Sequence, residues 1–188
     1  MIEKEYKLLL SEEQYKQIDS YFKWDNEFYQ TNYYYNDQDN YIINKKITVR
    51  IRERNNLLYL QVKIPQETIN SLNIKEEKGI KVHKILNPIP QSLVKELLNK
   101  DLQNVRQIGA LKTYRKLNNS FLSDVKICLD KNEYLNLIDY ELELEFSSEE
   151  LPTNFQNIFE KLFNINFLQI SVGKNSRFLR ELSRSSQQ

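Results

Sequence analysis

Charged residues recur at every second position in several segments of this 188-residue chain. Glu3, Glu5 and Lys7 alternate with apolar residues in "IEKEYKLLL", and Arg50 and Arg52 alternate with Val49 and Ile51 in "KKITVRIRER", where Arg54 extends the row. Lys63 shares a side with Gln61 and Tyr59 in "LLYLQVKIP", Thr113 and Arg115 lie in "LKTYRKL", and Asp130 lies in "ICLDKN". Glu141, Glu143 and Glu145 alternate with Tyr140, Leu142 and Leu144 in "DYELELEF", and Lys174 and Arg177 stand near the C-terminus. Adjacent carboxylates bind hard divalent cations through oxygen. Arg and Lys clamp phosphate oxygens, Arg in a bidentate way. Together these groups suit a metal-bound polyphosphate, the metal polarising a phosphoryl oxygen or activating water and the cations stabilising charge in the transition state.

The elements that position these residues follow from pattern. Successive strand side chains point to opposite faces, so each segment has one charged and one apolar face. Residues 2–10 read as the first strand, and Ser11 with Gln14 forms a capping box for a helix whose apolar stripe is Tyr15, Ile18 and Phe22. "EFYQTNYYYND" reads as an aromatic strand. The Arg and Lys strands flank Asn55-Asn56, a two-residue hairpin turn, and "IKEEKGIKVHKI" is a further strand with an irregularity expected at Gly79. After Pro88 and Pro90 come a short helix in "QSLVKELLN" and three strands, "RQIGALKTYRKL", "DVKICLDKNEYL" and "IDYELELEF". Phe155, Ile158, Phe159, Leu162 and Phe163 recur at helical spacing, and "KNSRFLREL" is a last short helix. One domain over residues 1–182 is expected, with 183–188 as a frayed tail. About eight strands and three or four helices imply an antiparallel sheet or barrel with helices outside.

Composition removes several alternatives. Net charge is +1, from 27 basic and 26 acidic residues, so no nucleic-acid or membrane footprint shows in the total. A single histidine, His83, argues against His-based metal sites and Ser-His-Asp triads. With three glycines and no Walker A loop, a glycine-cradled phosphate site is excluded, and any phosphate must be held by side chains. Cys128 is the one cysteine, so no intrachain disulfide forms, which fits a cytoplasmic location; it reads as an inert thiol packed in the apolar "KICLD" stretch. No signal peptide or membrane-length apolar run is visible.

The apolar strand faces must be covered by helices, so the charged faces look at water or at each other. Acids cluster on the first and the "ELELE" strands and bases on the Arg/Lys strands. If the sheet closes, both line one interior, and burying so many charges without a ligand is expensive. A wet, ligand-binding lumen resolves that cost.

At this point the chain resembles a known family. "EKEYK" is similar to the ExExK signature of CYTH domains, the triphosphate tunnel metalloenzymes. In order along nearly the whole chain, "TNYYYND", "VRIRE", "LQVKIP", "GALKTYRKL", "CLDKN", "DYELELEF" and "VGKNSRF" resemble the segments that follow it in that family. The resemblance implies an α+β fold dominated by a closed eight-stranded antiparallel β-barrel, a tunnel, with helices packed outside. It implies triphosphate as substrate, and Mg2+ or Mn2+ as cofactor. Carried over by motif, Glu3, Glu5, Glu141 and Glu143 are metal ligands with Asp130 assisting, and Lys7, Arg50, Arg52, Lys63, Arg115 and Lys174 contact phosphate. Glu141, Glu143 and Lys7 form the expected catalytic set. The family's acid after the lysine strand is matched by both Glu76 and Glu77, and a one-residue slip decides which faces inward. Glu145 is either a third inward acid or a residue of the tunnel mouth.

Any one of these motifs alone reads as a solvated strand face; the ordered set carries the expectation. The leading expectation is hydrolysis of inorganic tripolyphosphate to pyrophosphate and phosphate. Thiamine triphosphate comes second and needs a ring-binding ledge, for which Trp24 or the Tyr29–Tyr35 region is the candidate. A non-catalytic polyphosphate- or nucleotide-binding module is the alternative from another class. ATP cyclisation and RNA 5′-triphosphatase activity have less support. No membrane or nucleic-acid partner is expected, and a homodimer is compatible with the chain.

Overall fold

The computed structural model describes residues 2–69, 72–122, 124–146, 153–166 and 172–185. Its strands are β1 (Ile2–Leu10), β2 (Asn26–Asn36), β3 (Thr48–Arg54), β4 (Leu57–Ile69), β5 (Leu72–Val82), β6 (Arg106–Asn118), β7 (Val125–Tyr134) and β8 (Leu137–Phe146). Its helices are α1 (Glu12–Tyr21), α2 (Tyr41–Asn44), α3 (Gln91–Leu98), α4 (Thr153–Phe163) and α5 (Lys174–Ser185). The strands run antiparallel in the order β1-β5-β4-β3-β2-β6-β7-β8, and β8 pairs back onto β1, which closes the barrel. The tunnel architecture expected from the sequence is therefore present.

Local chemistry sets the register. Arg54 pairs with Leu57 across Asn55 and Asn56, whose φ values of 52° and 60° lie in the left-handed region that two-residue hairpins require and asparagine tolerates. The β7–β8 turn uses the same geometry at Leu135 and Asn136, with φ values of 46° and 64°. The sequence pattern runs the strand on through Leu135, because leucine rarely adopts this conformation. The capping box of α1 forms as expected, with the Gln14 backbone N–H donating to Ser11 Oγ at 3.1 Å and the Ser11 N–H donating to Gln14 Oε1 at 2.9 Å. The irregularity expected at Gly79 lies elsewhere. Gly79 pairs in register with Gln61, and the slip falls between Pro65 and Glu67, where proline has no N–H for the ladder.

Two arcs of the outward strand faces are apolar and covered. Leu8, Leu10, Ile127, Leu129, Leu142 and Leu144 pack with Tyr15 and Ile18 of α1 and Phe155, Phe159 and Phe163 of α4. On the other arc, Val49, Ile51, Leu60 and Val62 pack with Ile42 of α2 and Val94 and Leu97 of α3. Alternation then sends the charged residues of the same strands inward. α5 occupies the barrel end formed by Gly109, Leu111 and Tyr134; its Phe178 is fully buried against Tyr34, Leu111 and Tyr134. A Cβ at Gly109 would sit 2.5 Å from Phe178 Cζ, so this close approach needs glycine. α5 continues to Ser185, past the domain boundary expected at 182. Among the described residues, no helix is long and apolar enough to cross a membrane.

Candidate active site

One wall of the lumen is acidic and already held by cations. The β1–β8 register places Lys7 opposite Glu143. Lys7 Nζ donates to Glu143 Oε1 and lies 2.7 Å from Glu5 Oε2. Arg115 forks onto Asp130, with Nε–Oδ1 and Nη2–Oδ2 both at 2.7 Å, and its Nη2 also donates to Glu143. From the start of α5, Lys174 Nζ reaches Asp130 Oδ2 and Glu143 Oε1, each at 2.8 Å, and pairs with Glu141. Glu5, Asp130, Glu141 and Glu143 are all buried. Burial opposes charge on Glu143, but Lys174, Lys7 and Arg115 outweigh it and hold the carboxyl well below the usual range. Burial, with neighbouring Glu143, leaves Glu141 above its usual value despite Lys174. Burial likewise opposes charge on Lys7, and Glu143, Glu5 and Glu141 outweigh it, so this lysine binds its proton more tightly than usual. A lysine of lowered pKa acting as base is thus not what the wall provides.

The facing wall holds donors. Arg50 Nε donates to Gln61 Oε1 at 3.0 Å, Gln61 Nε2 donates to Glu77 Oε1 at 2.7 Å, and Lys63 Nζ lies 2.8 Å from Glu77 Oε2. The absent side chain of Gly79 leaves room for Gln61, whose Cγ lies 3.2 Å from where a Cβ would stand. Arg52 Nε donates to Asn32 Oδ1 at 3.1 Å, and among the described residues Arg52 has no carboxylate partner. Burial, then Arg50 and Arg115, push Arg52 down to about 9. A guanidinium keeps its proton in proteins, so the cost is expressed as a demand for an anion. Gln30 Nε2, Asn32 Nδ2 and Arg50 Nη2 are buried without a hydrogen-bond partner among the described residues. Unsatisfied buried donors are rare and costly; Arg50 Nη2 also lies 3.8 Å from Glu77 Oε1, and Asn32 is the one of the three that touches Arg52.

Among the expected site residues, the fold brings together Glu5, Lys7, Arg50, Arg52, Lys63, Arg115, Asp130, Glu141, Glu143 and Lys174 on lumen-facing positions of β1, β3, β4, β6, β7 and β8 and the start of α5. Glu3 lies on β1 opposite Lys75 of β5, and its side chain is outside the described residues. Glu77 is the inward acid of β5, while Glu76 is half exposed and pairs with Lys78. Glu145 is a third inward acid of β8, 2.5 Å from Lys126 Nζ and 3.7 Å from Arg115 Nη1. Cys128 is buried, but on the charged side: it pairs in register with Glu143 and lies beside Glu145, not in the apolar core, because it shares strand parity with Asp130. Burial pushes its thiol up to about 12, so it stays protonated. Trp24 packs on the outside of the barrel with its Nε1 donating to Asp19 Oδ1 at 2.9 Å, Tyr29 packs at a tilt against Tyr114 on the outer surface, and Tyr33 and Tyr35 join the outer core. Of the expected ring-binding candidates only Tyr34 faces inward, and Phe178 covers it.

The sequence motifs assign no role to Arg177. It donates from Nε to Asp139 Oδ2 at 2.7 Å, from Nη2 to Asp139 Oδ1 at 3.0 Å, and from Nη1 to Glu141 Oε2 at 2.5 Å. Asp139 also accepts from Asn132 Nδ2 at 2.9 Å and Tyr134 Oη at 2.7 Å. The signal was present: Lys174, Arg177 and Phe178 share one helix face at i, i+3 and i+4.

The CYTH domain profile matches residues 1–173. The chain belongs to the CYTH domain family. Solved CYTH-like folds agree. A proposed adenylate cyclase from Bacillus halodurans is 25% identical, with a TM-score of 0.71 over 93% of this chain and 95% of that one. A proposed adenylyl cyclase from Hippeastrum, described as having a dominant triphosphatase activity, is 16% identical, with a TM-score of 0.77 over 95% of this chain and 96% of that one. A Pyrococcus horikoshii protein is 18% identical, with a TM-score of 0.54 over 87% and 91%. No curated protein matches the chain.

The residues of this CYTH domain fit a divalent cation. Carboxylate oxygens of Asp130, Glu141 and Glu143 all lie within 4.8 Å of one another. An all-oxygen set of this kind suits a hard cation. The neighbouring group of Cys128, Glu143 and Glu145 is also compact, but its sulfur is a soft ligand that suits a hard cation less well than the all-oxygen trio.

Proposed function

We propose that this CYTH protein hydrolyses the terminal anhydride of a linear triphosphate, with inorganic tripolyphosphate as the minimal substrate and Mg2+ or Mn2+ as the cation. The observation that carries the reading is the pairing of two unlike walls in one closed lumen: a compact carboxylate trio, and opposite it the donors of Gln30 and Asn32, without hydrogen-bond partners, and Arg52, without a carboxylate, among the described residues. A pure anion binder gains nothing from carboxylates beside phosphate. Asp130, Glu141 and Glu143 would hold the cation, which supplies charge neutralisation at the phosphoryl oxygens and an activated water. Arg52, Arg50, Gln30 and Asn32 would grip the phosphate chain, and Lys7, Arg115 and Lys174 would turn from the carboxylates toward the charge developing in the transition state. Water then bonds to the terminal phosphorus, and the bridging oxygen leaves with pyrophosphate.

The test is phosphate release from tripolyphosphate with and without Mg2+ or Mn2+, in the wild type and in Glu143→Gln. The reading expects metal-dependent release that the variant loses. Tight binding without release would favour a binding module.

A further inference from the structure

On the acidic wall Lys7, Arg115 and Lys174 all lie on Glu143. The donor wall also contains an acid, Glu77, yet the arginine beside it stays off it. Arg50 Nη2 stands 3.8 Å from Glu77 Oε1, longer than a hydrogen bond, and is buried without a hydrogen-bond partner among the described residues. Gln61 lies between the two. β4 runs between β3 and β5, and Gln61 pairs in register with Arg50 on one side and with Gly79 on the other. Its Oε1 accepts from Arg50 Nε at 3.0 Å, and its Nε2 donates to Glu77 Oε1 at 2.7 Å. Gly79 gives that amide its room: a Cβ there would stand 3.2 Å from Gln61 Cγ and 3.2 Å from the Leu60 carbonyl oxygen.

We propose that Gln61 is a positioning residue for the phosphate grip: a neutral amide spacer that ties Arg50 and Glu77 and so keeps them from closing into an ion pair, leaving Arg50 Nη2 for a phosphate oxygen. The inference rests on the tunnel being a triphosphate site, and it states how that site keeps an arginine available beside an acid of its own. Only an amide meets both demands at position 61. A carboxylate there would neutralise Arg50, and an apolar side chain would satisfy neither partner, because Arg50 Nε needs an acceptor and Glu77 Oε1 a donor. Without the spacer, opposite charges this close in a site shielded from water draw together into a charge-assisted pair. Burial opposes charge on Glu77, but Lys63 and Arg50 outweigh it and hold its carboxyl below the usual range, so the acid is an anion able to capture the arginine. Lys63 Nζ lies 2.8 Å from Glu77 Oε2, and Oε1 is the oxygen that Gln61 covers. The spacing therefore separates two duties on one wall: Lys63 answers the acid, and Arg50 is held for the ligand.

The experiment is a double-mutant cycle on tripolyphosphate binding, measured by titration calorimetry without divalent metal in the wild type, Gln61→Met, Glu77→Gln and the double variant. Methionine keeps the length of glutamine and removes the amide. Gln61→Met should raise Kd about ten-fold, the worth of one charge-assisted bond to phosphate. In the Glu77→Gln background the same substitution should change Kd by less than about two-fold, because no anion is left to capture Arg50. Gly79→Ala crowds the Gln61 side chain from β5 and should show the same dependence on Glu77, which carries the test if Gln61→Met does not fold. An equal rise in both backgrounds would overturn the proposal, since Gln61 would then touch phosphate itself or only fill the wall. An unchanged Kd in Gln61→Met would overturn it as well. Either result, with tripolyphosphate still bound and cleaved by the wild type, leaves the tunnel reading standing. A wild type that neither binds nor cleaves tripolyphosphate would overturn the tunnel reading, and the spacer with it.

Discussion

Arg177 tests whether α5 is part of the charged interior or only packed beside it. Arg177→Met keeps much of the side-chain volume and removes three hydrogen bonds to carboxylates, two to Asp139 and one to Glu141. Breaking a buried ion pair by deleting one partner costs ~3–5 kcal/mol. Asp139 keeps Asn132 and Tyr134 as donors and Glu141 keeps Lys174, which places the loss near the lower end, ~3 kcal/mol. A chain of 188 residues loses roughly 2–4 °C of Tm per kcal/mol, so Tm falls by roughly 6–12 °C. Scanning calorimetry at pH 7 reads this directly, with Arg177→Lys expected in between because it keeps charge but not the fork. The effect also has a sign in pH. Burial opposes charge on Asp139, but Arg177, Tyr134 and Asn132 outweigh it and lower its folded-state value. Such a group stabilises the fold above its unfolded value, about 4, and that contribution is lost as pH falls through the folded value. The Tm gap between wild type and Arg177→Met therefore narrows by pH 3. A loss under about 2 °C at pH 7, or a gap that widens in acid, refutes the reasoning.

Three further outcomes follow from the same geometry. Glu143→Gln removes the carboxylate on which Lys7, Arg115 and Lys174 converge, and steady-state assays with tripolyphosphate should show kcat down by ~100-fold or more. Arg52→Gln removes a partly buried cation that has no carboxylate partner among the described residues, so Tm should hold or rise while the tripolyphosphate KM rises; a large fall in Tm would show that Arg52 is structural. Gly109→Ala forces Phe178 aside and should cost ~1–3 kcal/mol in denaturant unfolding, partly recovered by Phe178→Leu; an unchanged midpoint would mean that α5 does not press on β6.

Strand parity carried most of the site in the sequence. Once "VRIRE" and "ELELE" are strands, Arg50, Arg52, Glu141 and Glu143 must share faces opposite their apolar neighbours, and closure brings those faces together. The same parity places Cys128 with Asp130, but the apolar look of "KICLD" hid it. Glu76 against Glu77 is a matter of one residue, and only the Lys63–Glu77 pairing decides it. Arg177 was harder to read: cations spaced through "KNSRFLREL" look like a solvated helix, and its burial depends on a helix docking at a barrel end formed by distant strands. Gln30 and Asn32 carry no charge pattern at all, and their importance appears only as donors left without acceptors among the described residues.

Closure by β1 against β8 also governs the order of assembly. Lys7 meets Glu143 across a separation of 136 residues, so the seam is among the last contacts a growing chain can make. Until "ELELE" has emerged from the ribosome, the first strand has only β5 beside it, and the ring stays an open ribbon with bare edges. Such long-range pairing makes for slow folding, and the interval before the seam zips is when a nascent chain most needs shielding from its neighbours.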